Sequence, residues 1–354
     1  MSQLRTATAG RRPLVAGAVT CPRPVPGASF RLFLFHHAGG SHLLYRGWET
    51  DFPADWEVML VDAPGRAHLL GERPLDTSEE LVGHLRRDLL PWLDRPYAFF
   101  GHSMGALVAY ELTRRLPGGG GAPAPAWLGL SACGPAGSRD LPLDQRRHLL
   151  PDAELRDRIR QVGGTPPNLL DDDDLWRLFG PIFRSDFAVV DTWEPVPGRP
   201  PLTVPVSVFG GQQDDLVTPD RLAHWADHAR YYLGLHLYRG DHFYLSGQQR
   251  SVTRQIVASI RLALRIGGAL RAASSAPAPA AGPVSGAAPA PGVASVPGAA
   301  PAPGVASVPG AAPAPGVASG LRCGPGPRRG VRSRCGLVTG RPGDGGGPTG
   351  GAVS

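Results

Sequence analysis

The sequence contains no lysine, so all 36 of its basic residues are arginines. It has only four cysteines, Cys21, Cys133, Cys323 and Cys335, whose spacing fits neither a metal site nor a disulfide framework. No apolar run is long enough to span a membrane. These absences exclude a disulfide-stapled scaffold and a membrane-spanning protein, and we expect a cytoplasmic protein.

The net charge of +6 comes from the two ends of the chain. The first 30 residues carry four arginines and no acid, and the segment from residue 271 onward carries seven arginines and one aspartate. The part between them holds 25 arginines and 29 acidic residues, so it is mildly acidic. We therefore expect no nucleic-acid-binding surface on this part of the chain.

Composition divides the chain into three parts. Residues 1–29 are predicted to be a flexible leader, residues 30–268 a single folded domain, and residues 269–354 a low-complexity tail rich in alanine, proline and glycine. The tail contains the 12-residue unit AAPAPGVASVPG at Ala287–Gly298, repeats it at Ala299–Gly310, and then begins a third copy. Valine is the only large apolar residue of the unit, so copies cannot stack around a core, and we expect a disordered tail.

Short apolar runs alternate with helical patterns along the folded part. A helix is predicted to start at Thr77, whose side chain caps it with Glu80 as the capping-box partner, and a final helix is predicted from about Gln248 to Ile266. Six runs have strand character: 31–35, 57–61, 97–100, 127–130, 204–209 and 235–238. This alternation predicts an α/β fold with a mostly parallel sheet and helices on both faces.

The pattern changes between about residues 136 and 200, where only helical signals occur. The signals cover 141–150, 153–162 and 175–192, and the breaker Gly163-Gly164-Thr165-Pro166-Pro167 interrupts them. We interpret this helical insertion as a lid over an active site. The alternative is that these helices only cover the sheet.

The pentapeptide Gly101-His102-Ser103-Met104-Gly105 lies between a predicted strand and a predicted helix. Glycines on either side of the serine allow the tight strand-to-helix turn that exposes its hydroxyl. The helix N-terminus behind it points amide groups toward the place where negative charge develops. This context predicts that Ser103 is a nucleophile, and the alternative is a serine in an ordinary turn.

A serine nucleophile needs a histidine base and an acid that orients the base. In the α/β-hydrolase arrangement the chain order is serine, acid, histidine. His242 follows the last predicted strand and is the predicted base. Asp214 and Asp215 both follow the strand before it, and Asp214 is the preferred acid. Asp241 is the least favoured acid because it adjoins the base.

An oxyanion formed during acyl transfer needs two backbone N–H donors. Met104, the residue after the nucleophile, is the first candidate, and Ala38, in the loop after the first predicted strand, is the second. The alternative for Gly39 and Gly40 in that loop is an ordinary turn.

Six motifs follow one another along the folded part: FHHAGG (35–40), APGR (63–66), GHSMG (101–105), GGTPP (163–167), GGQQDDLV (210–217) and GDHFYL (240–245). Together they resemble the type II thioesterases, stand-alone α/β-hydrolases that accompany modular polyketide and nonribosomal-peptide synthases. The resemblance covers about residues 30–265, and the repeat tail is not part of it. The family usually has proline where this chain has His36.

The resemblance implies an α/β-hydrolase fold with a helical lid and the triad Ser103, Asp214 and His242. The family's acid stands three residues before a valine, as Asp214 does before Val217, which supports Asp214. The implied reaction is hydrolysis of acyl thioesters on phosphopantetheine arms, with no metal or cofactor. The implied partners are acyl or peptidyl carrier domains, which the enzyme binds transiently. The implied enzyme is a monomer that removes aberrant acyl groups from these domains. The alternatives are a general carboxylesterase, a product-releasing thioesterase and a non-catalytic scaffold.

Overall fold

The computed structural model of the protein describes residues 12–116, 122–135 and 143–275. The predicted repeat tail lies outside the described residues, as does the start of the insertion at residues 136–142. No helix in the described ranges combines the length and the apolar character needed to cross a bilayer.

In these ranges, eight strands form one sheet with the spatial order β1-β2-β4-β3-β5-β6-β7-β8. They are β1 (Leu14–Ala16), β2 (Val19–Cys21), β3 (Phe30–Phe35), β4 (Trp56–Val61), β5 (Tyr97–His102), β6 (Leu128–Ser131), β7 (Val206–Gly211) and β8 (Tyr232–Tyr238). Every pair from β4 to β8 is parallel. The predicted mostly parallel sheet is confirmed, and the carboxyl ends of its six parallel strands meet at one edge.

The first two strands correct the prediction of a flexible leader over residues 1–29. β1 and β2 form an antiparallel hairpin around Gly17, whose φ of 53° suits glycine. β2 then pairs antiparallel with β4, and Val19 and Cys21 are almost fully buried. Part of the predicted leader therefore extends the sheet.

Helices cover both faces of the sheet, as predicted. They are α1 (Ser78–Leu89), α2 (Met104–Arg115), α3 (Asp152–Val162), α4 (Pro167–Asp171), α5 (Asp173–Thr192), α6 (Pro219–Ala223) and α7 (Leu245–Ser275). Short 3-10 turns occur at His42–Tyr45, Trp48–Thr50, Ala67–Leu69, Leu90–Trp92, Leu143–Gln145, Arg147–Leu149 and His224–His228. The predicted cap of α1 is confirmed, because the Thr77 side chain accepts a hydrogen bond from Glu80 N.

Each face of the sheet carries its own apolar core. Successive residues of a strand point to opposite faces. Phe33 and Phe35 of β3 accordingly pack in one core with residues of α1 and α2, whereas Leu32 and Leu34 pack in the other core with residues of α7. Because both faces are filled, the loops at the strand ends are where functional side chains gather.

Helix α7 is longer than the sequence predicts. It continues past the expected end at Ile266 through Gly267 and Gly268 to Ser275. It therefore crosses the predicted boundary between the folded domain and the tail at residue 268.

The helical insertion lies between β6 and β7 and has a small core of its own. The breaker at 163–167 separates α3 from α4, as predicted, whereas the described part of the predicted helix at 141–150 forms only 3-10 turns. The buried residues of this core are Leu155, Ile159, Leu170, Trp176, Phe183 and Phe187. Ala38 of the loop after β3 packs against them, so the insertion contacts the edge where the parallel strands end.

Candidate active site

Ser103 stands on the turn between β5 and α2, with the strained backbone expected of a nucleophile elbow. Its φ of 55° and ψ of −117° are unusual for a residue with a side chain. A Cβ on Gly101 would lie 2.1 Å from Gly105 O, and one on Gly105 would lie 2.2 Å from Phe35 O. Both glycines of the motif are therefore required by close backbone approach.

His242, in the loop after β8, bridges the serine and an acid. Its Nε2 lies 2.9 Å from Ser103 Oγ, and its Nδ1 lies 2.8 Å from Asp214 Oδ2. Because a carboxylate only accepts hydrogen bonds, Nδ1 donates to Asp214 and Nε2 is left to accept the proton of the Ser103 hydroxyl. His242 is only 7% exposed, so this chain of hydrogen bonds is largely shielded from water.

The acid in this arrangement is Asp214 rather than its neighbours. Asp214 is 2% exposed, and its Oδ1 accepts hydrogen bonds from Leu216 N and Val217 N, both at 2.9 Å. These bonds hold the carboxylate in place while Oδ2 faces His242. Asp215 is exposed to solvent, and the exposed Asp241 accepts a hydrogen bond from Phe243 N.

The two residues predicted to supply the oxyanion N–H groups, Met104 and Ala38, each line a cavity that contains Ser103 and His242. Met104 is the first residue of α2, so its N–H has no acceptor within the helix. Ala38 lines the cleft together with Ser103 and His242. Among the described residues, neither Ala38 N nor Met104 N has a hydrogen-bond acceptor. The oxyanion role of both groups stays a prediction.

A buried ion pair that sequence reasoning missed holds the loop containing Ala38. Arg66 of the APGR motif forms two hydrogen bonds of 2.7 Å with Asp186 of α5, and both side chains are almost fully buried. Asp186 Oδ2 also accepts a hydrogen bond from Gly39 N at 2.7 Å, and Arg66 Nη1 donates to Gly40 O. The insertion therefore fixes the loop after β3 through one carboxylate.

Three further histidines surround the site in neutral form. Burial, with the nearby charge of Arg66 adding to it, lowers the pKa of His36 to about 3, and burial lowers the pKa of His37 to about 4. Burial also holds the pKa of His102 well below its usual range, and its Nδ1 lies 2.8 Å from Ser131 Oγ. These side chains are therefore uncharged near neutral pH and leave proton transfer at Ser103 to His242.

A cavity of about 470 Å³ opens beside Ser103 and His242. This volume falls within the ordinary range of small-molecule sites. Its walls are partly apolar, from Leu107, Val190 and Trp193, and carry the arginines Arg147, Arg158 and Arg221. In the part of the chain that the structure describes, no group of three or more His, Cys, Asp or Glu side chains is placed to hold a metal ion.

Comparison with known proteins decides the family. The model of the thioesterase domain family matches residues 30–260 of this chain. The chain belongs to the thioesterase family. The match contains the elbow, the insertion and the loops that carry Asp214 and His242, so the geometry described above lies entirely within the family region.

Several relatives of this thioesterase are named for biosynthetic pathways. The gramicidin S biosynthesis protein GrsT of Aneurinibacillus migulanus is 31% identical over 238 residues, which cover 67% of this chain and 91% of GrsT. The thioesterase PikA5 of Streptomyces venezuelae is 33% identical over 66% of this chain and 82% of PikA5. The solved structure of YbtT, a type II thioesterase of the yersiniabactin pathway, has a TM-score of 0.62 and 30% identity over 70% of this chain and 99% of YbtT.

Proposed function

We propose that this protein is a type II thioesterase that hydrolyses acyl thioesters on the phosphopantetheine arms of carrier domains. In this role it removes aberrant acyl groups during polyketide or nonribosomal-peptide synthesis. The observation that carries the proposal is the chain of hydrogen bonds from Ser103 through His242 to Asp214 at 2.9 and 2.8 Å, beside a partly apolar cavity. Family membership and the pathways named for the relatives support the choice of a thioester over other acyl substrates.

Acylation begins when Ser103 Oγ attacks the thioester carbonyl carbon. His242 Nε2 takes the hydroxyl proton, and Asp214 stabilises the imidazolium and keeps Nδ1 as the donor. The N–H groups of Ala38 and Met104 donate hydrogen bonds to the negatively charged carbonyl oxygen. The tetrahedral intermediate then collapses, the C–S bond breaks, and His242 returns the proton to the pantetheine sulfur, which leaves as a thiol.

Deacylation repeats these steps with water in place of the serine hydroxyl. His242 Nε2 takes a proton from water, and the hydroxide oxygen attacks the carbonyl carbon of the Ser103 ester. The same two N–H groups donate hydrogen bonds to the oxyanion. Collapse breaks the ester bond, Ser103 Oγ recovers its proton from His242, and the free acid leaves.

The partner and the state of the enzyme follow from this proposal. A carrier domain has to present its arm at the cleft and then leave, so we propose a transient encounter with a monomeric enzyme. The cytoplasm is the compartment that we propose, and the free thiols of Cys21 and Cys133 fit a reducing environment.

The proposal is tested by measuring release of free acid from a propionyl-loaded carrier protein and from p-nitrophenyl propionate. We expect wild type to hydrolyse the loaded carrier with the higher kcat/KM, and Ser103→Ala to lose at least about 10³-fold in kcat. Hydrolysis of the p-nitrophenyl ester with no release from several loaded carriers would instead establish a general carboxylesterase. Equal turnover by wild type and Ser103→Ala would remove the enzymatic role of this serine.

A further inference from the structure

Two arginines that line the cavity of Ser103 have no carboxylate partner among the residues that the structure describes. Arg158 lies on α3 of the insertion and Arg221 lies on α6, so they approach the cavity from different parts of the fold. Within the described ranges, neither side chain forms an ion pair. Arg158 Nη1 donates to Gln161 Oε1 and Arg221 Nη1 donates to Leu216 O, each at 3.3 Å. A guanidinium has five N–H donors, so most of their donors are available to a ligand.

The other arginine of this cavity is neutralised within the protein. Arg147 Nε donates to the buried Asp191 Oδ1 at 3.0 Å, and its guanidinium lies over the ring of Phe187 at 4.4 Å. On the outer surface of the insertion, aspartates likewise pair with arginines; these arginines are Arg156, Arg160, Arg177 and Arg184. Of the three arginines that line this cavity, Arg158 and Arg221 are therefore the two whose charge no carboxylate of the described residues compensates.

The position of these two arginines along the cavity indicates which end of a substrate they meet. Both side chains are exposed, whereas His242 is buried, so the arginines mark the solvent end of the cavity and the triad its inner end. Cys133, Gly134 and Arg221 line the same wall of the cavity, and a Cβ on Gly134 would lie 4.0 Å from the Cβ of Arg221.

We propose that Arg158 and Arg221 bind the phosphate of the phosphopantetheine arm while its thioester lies at Ser103. This inference rests on the proposed function. The pantetheine part of such an arm and a simple acyl group such as propionyl are uncharged, so the phosphate is the anionic group of a propionyl-loaded arm. Guanidinium groups bind phosphate oxygens through charge-assisted, often bidentate hydrogen bonds. The arginines therefore select arms that carry phosphate and raise their affinity.

The test compares two substrates that differ only in the phosphate, propionyl-pantetheine and propionyl-phosphopantetheine. For wild type we expect kcat/KM to be at least about 10-fold higher for the phosphorylated substrate, since a hydrogen bond to a charged group contributes about 1.5 kcal/mol or more. In R158Q/R221Q this ratio falls toward one, and the change lies in KM because the contact is made equally in ground and transition states. R177Q is the matched control: it removes an exposed arginine of the insertion that is paired with Asp174, and we expect it to keep the wild-type ratio.

The outcomes separate failure of this inference from failure of the proposed function. If wild type hydrolyses both substrates with equal kcat/KM, or if R158Q/R221Q keeps the wild-type ratio, the phosphate assignment is overturned and the thioesterase stands. If wild type hydrolyses neither substrate nor a loaded carrier, the proposed function fails and the inference falls with it. Thermal unfolding of each variant shows that altered kinetics do not come from a damaged fold.

The same phosphate occurs on carrier-bound arms and on coenzyme A, so a second comparison distinguishes these sources. KM is measured for a propionyl-loaded carrier and for propionyl-CoA with wild type and R158Q/R221Q. A rise of about 3-fold or more with the carrier supports recognition of the carrier-bound arm. A rise in KM for propionyl-CoA alone would show that the arginines bind the phosphate of coenzyme A and not that of the carrier-bound arm. An unchanged KM for both substrates would overturn the proposal that the arginines bind the phosphate.

Discussion

At the scale of single residues, the site depends on which of two adjacent aspartates faces His242. Asp214 and Asp215 are adjacent in the loop after β7, so chain order alone fits either of them. In the structure Leu216 N and Val217 N donate hydrogen bonds to Asp214 Oδ1, and Asp214 Oδ2 faces His242 Nδ1. Asp215 has no part in this network and faces solvent.

Replacing Asp214 by asparagine therefore has a large expected effect. The amide nitrogen cannot accept the Nδ1–H of His242, so the imidazole loses the tautomer that leaves Nε2 free for the serine proton. We expect kcat for a propionyl thioester to fall by roughly 10³–10⁴-fold with little change in KM. Asp215→Asn is the matched control and is expected to retain wild-type kcat. Equal losses in both variants would contradict the assignment of the acid.

The buried pair of Arg66 and Asp186 is a second feature decided by individual residues. Asp186 compensates the charge of Arg66 and accepts a hydrogen bond from Gly39 N. Gly39 has a φ of 75°, which favours glycine, and a Cβ there would collide with the ring of Phe183. The carboxylate thereby joins the insertion to the loop that contains Ala38. Loss of its charge would leave a guanidinium buried without a counterion.

We expect Asp186→Asn to lower the free energy of unfolding by about 3–5 kcal/mol, the usual cost of an uncompensated buried charge. Urea denaturation of the purified variants measures this change. Asp174→Asn removes an exposed partner of Arg177 on the same helix and is expected to leave the unfolding midpoint almost unchanged. A midpoint for Asp186→Asn equal to that of wild type would show that the pair does not stabilise the fold.

At the scale of elements, the glycine pair between α3 and α4 lies against Phe243, whose ring packs against the base His242. Gly163 and Gly164 have φ values of 83° and 77°, so both take a conformation that favours glycine. A Cβ on Gly164 would lie 2.4 Å from the ring of Phe243, whereas one on Gly163 would lie no closer than 4.0 Å. Phe243 in turn packs edge-on against His242 and His37.

Gly164→Ala should therefore displace Phe243 and disturb the adjacent His242, and we expect kcat/KM to fall about 10-fold or more, because a small misplacement of a catalytic group can cost up to 10²-fold. Gly163→Ala introduces similar backbone strain without the collision and controls for it. The measurement is steady-state hydrolysis of a propionyl thioester by both variants. Equal losses would mean that strain alone, and not the contact with Phe243, explains the effect.

The elements also show how far the sequence predicts the fold. Strand–helix alternation, the Thr77 cap and the glycine-flanked turn at Ser103 are local signals, and each predicted its element correctly. The β1–β2 hairpin was missed because its strands have three residues each and are held by pairing with β4, which lies about 40 residues further along the chain. The end of α7 was placed too early because Gly267 and Gly268 are typical of helix ends.

The same limit applies to the site. Ser103 and His242 follow from motif and chain order, and the preferred acid, Asp214, is the one of the three aspartates that lies within hydrogen-bond distance of His242. Asp186 gives no sequence signal, since it is one acid among several on α5 and its partner Arg66 is 120 residues away. A residue whose role is defined only by a long-range contact can be recognised only once the fold is known.

At the scale of the whole molecule, three neutral histidines, the buried His36 and His102 and the half-buried His37, make the fold sensitive to acid. The folded-state pKa is about 3 for His36, about 4 for His37 and well below the usual value for His102, against about 6.5 in the unfolded chain. At pH values between the folded-state and the unfolded-state pKa, the unfolded chain binds more protons than the folded chain. Stability is therefore full above pH 6.5 and is lost as the pH falls toward the folded-state values.

We expect the free energy of unfolding to decrease below pH 6.5 with a slope approaching about 1.4 kcal/mol per pH unit for each such histidine. Urea titrations between pH 7 and pH 5 measure this slope above the range in which most carboxylates titrate. His36→Gln removes one group and should reduce the slope by the share of one histidine, whatever its effect on absolute stability. A slope equal to that of wild type would contradict burial of a neutral His36.

The most direct test of the account is whether thioester hydrolysis depends on Ser103 as the activated nucleophile. The enzyme is treated with increasing amounts of a fluorophosphonate, the labelled residue is mapped by peptide mass spectrometry, and residual hydrolysis of a propionyl-loaded carrier is measured at each step. We expect the label on Ser103, a loss of activity in proportion to labelling that reaches zero at full occupancy, and no labelling of Ser103→Ala. Hydrolysis that persists when Ser103 is fully labelled would contradict this expectation.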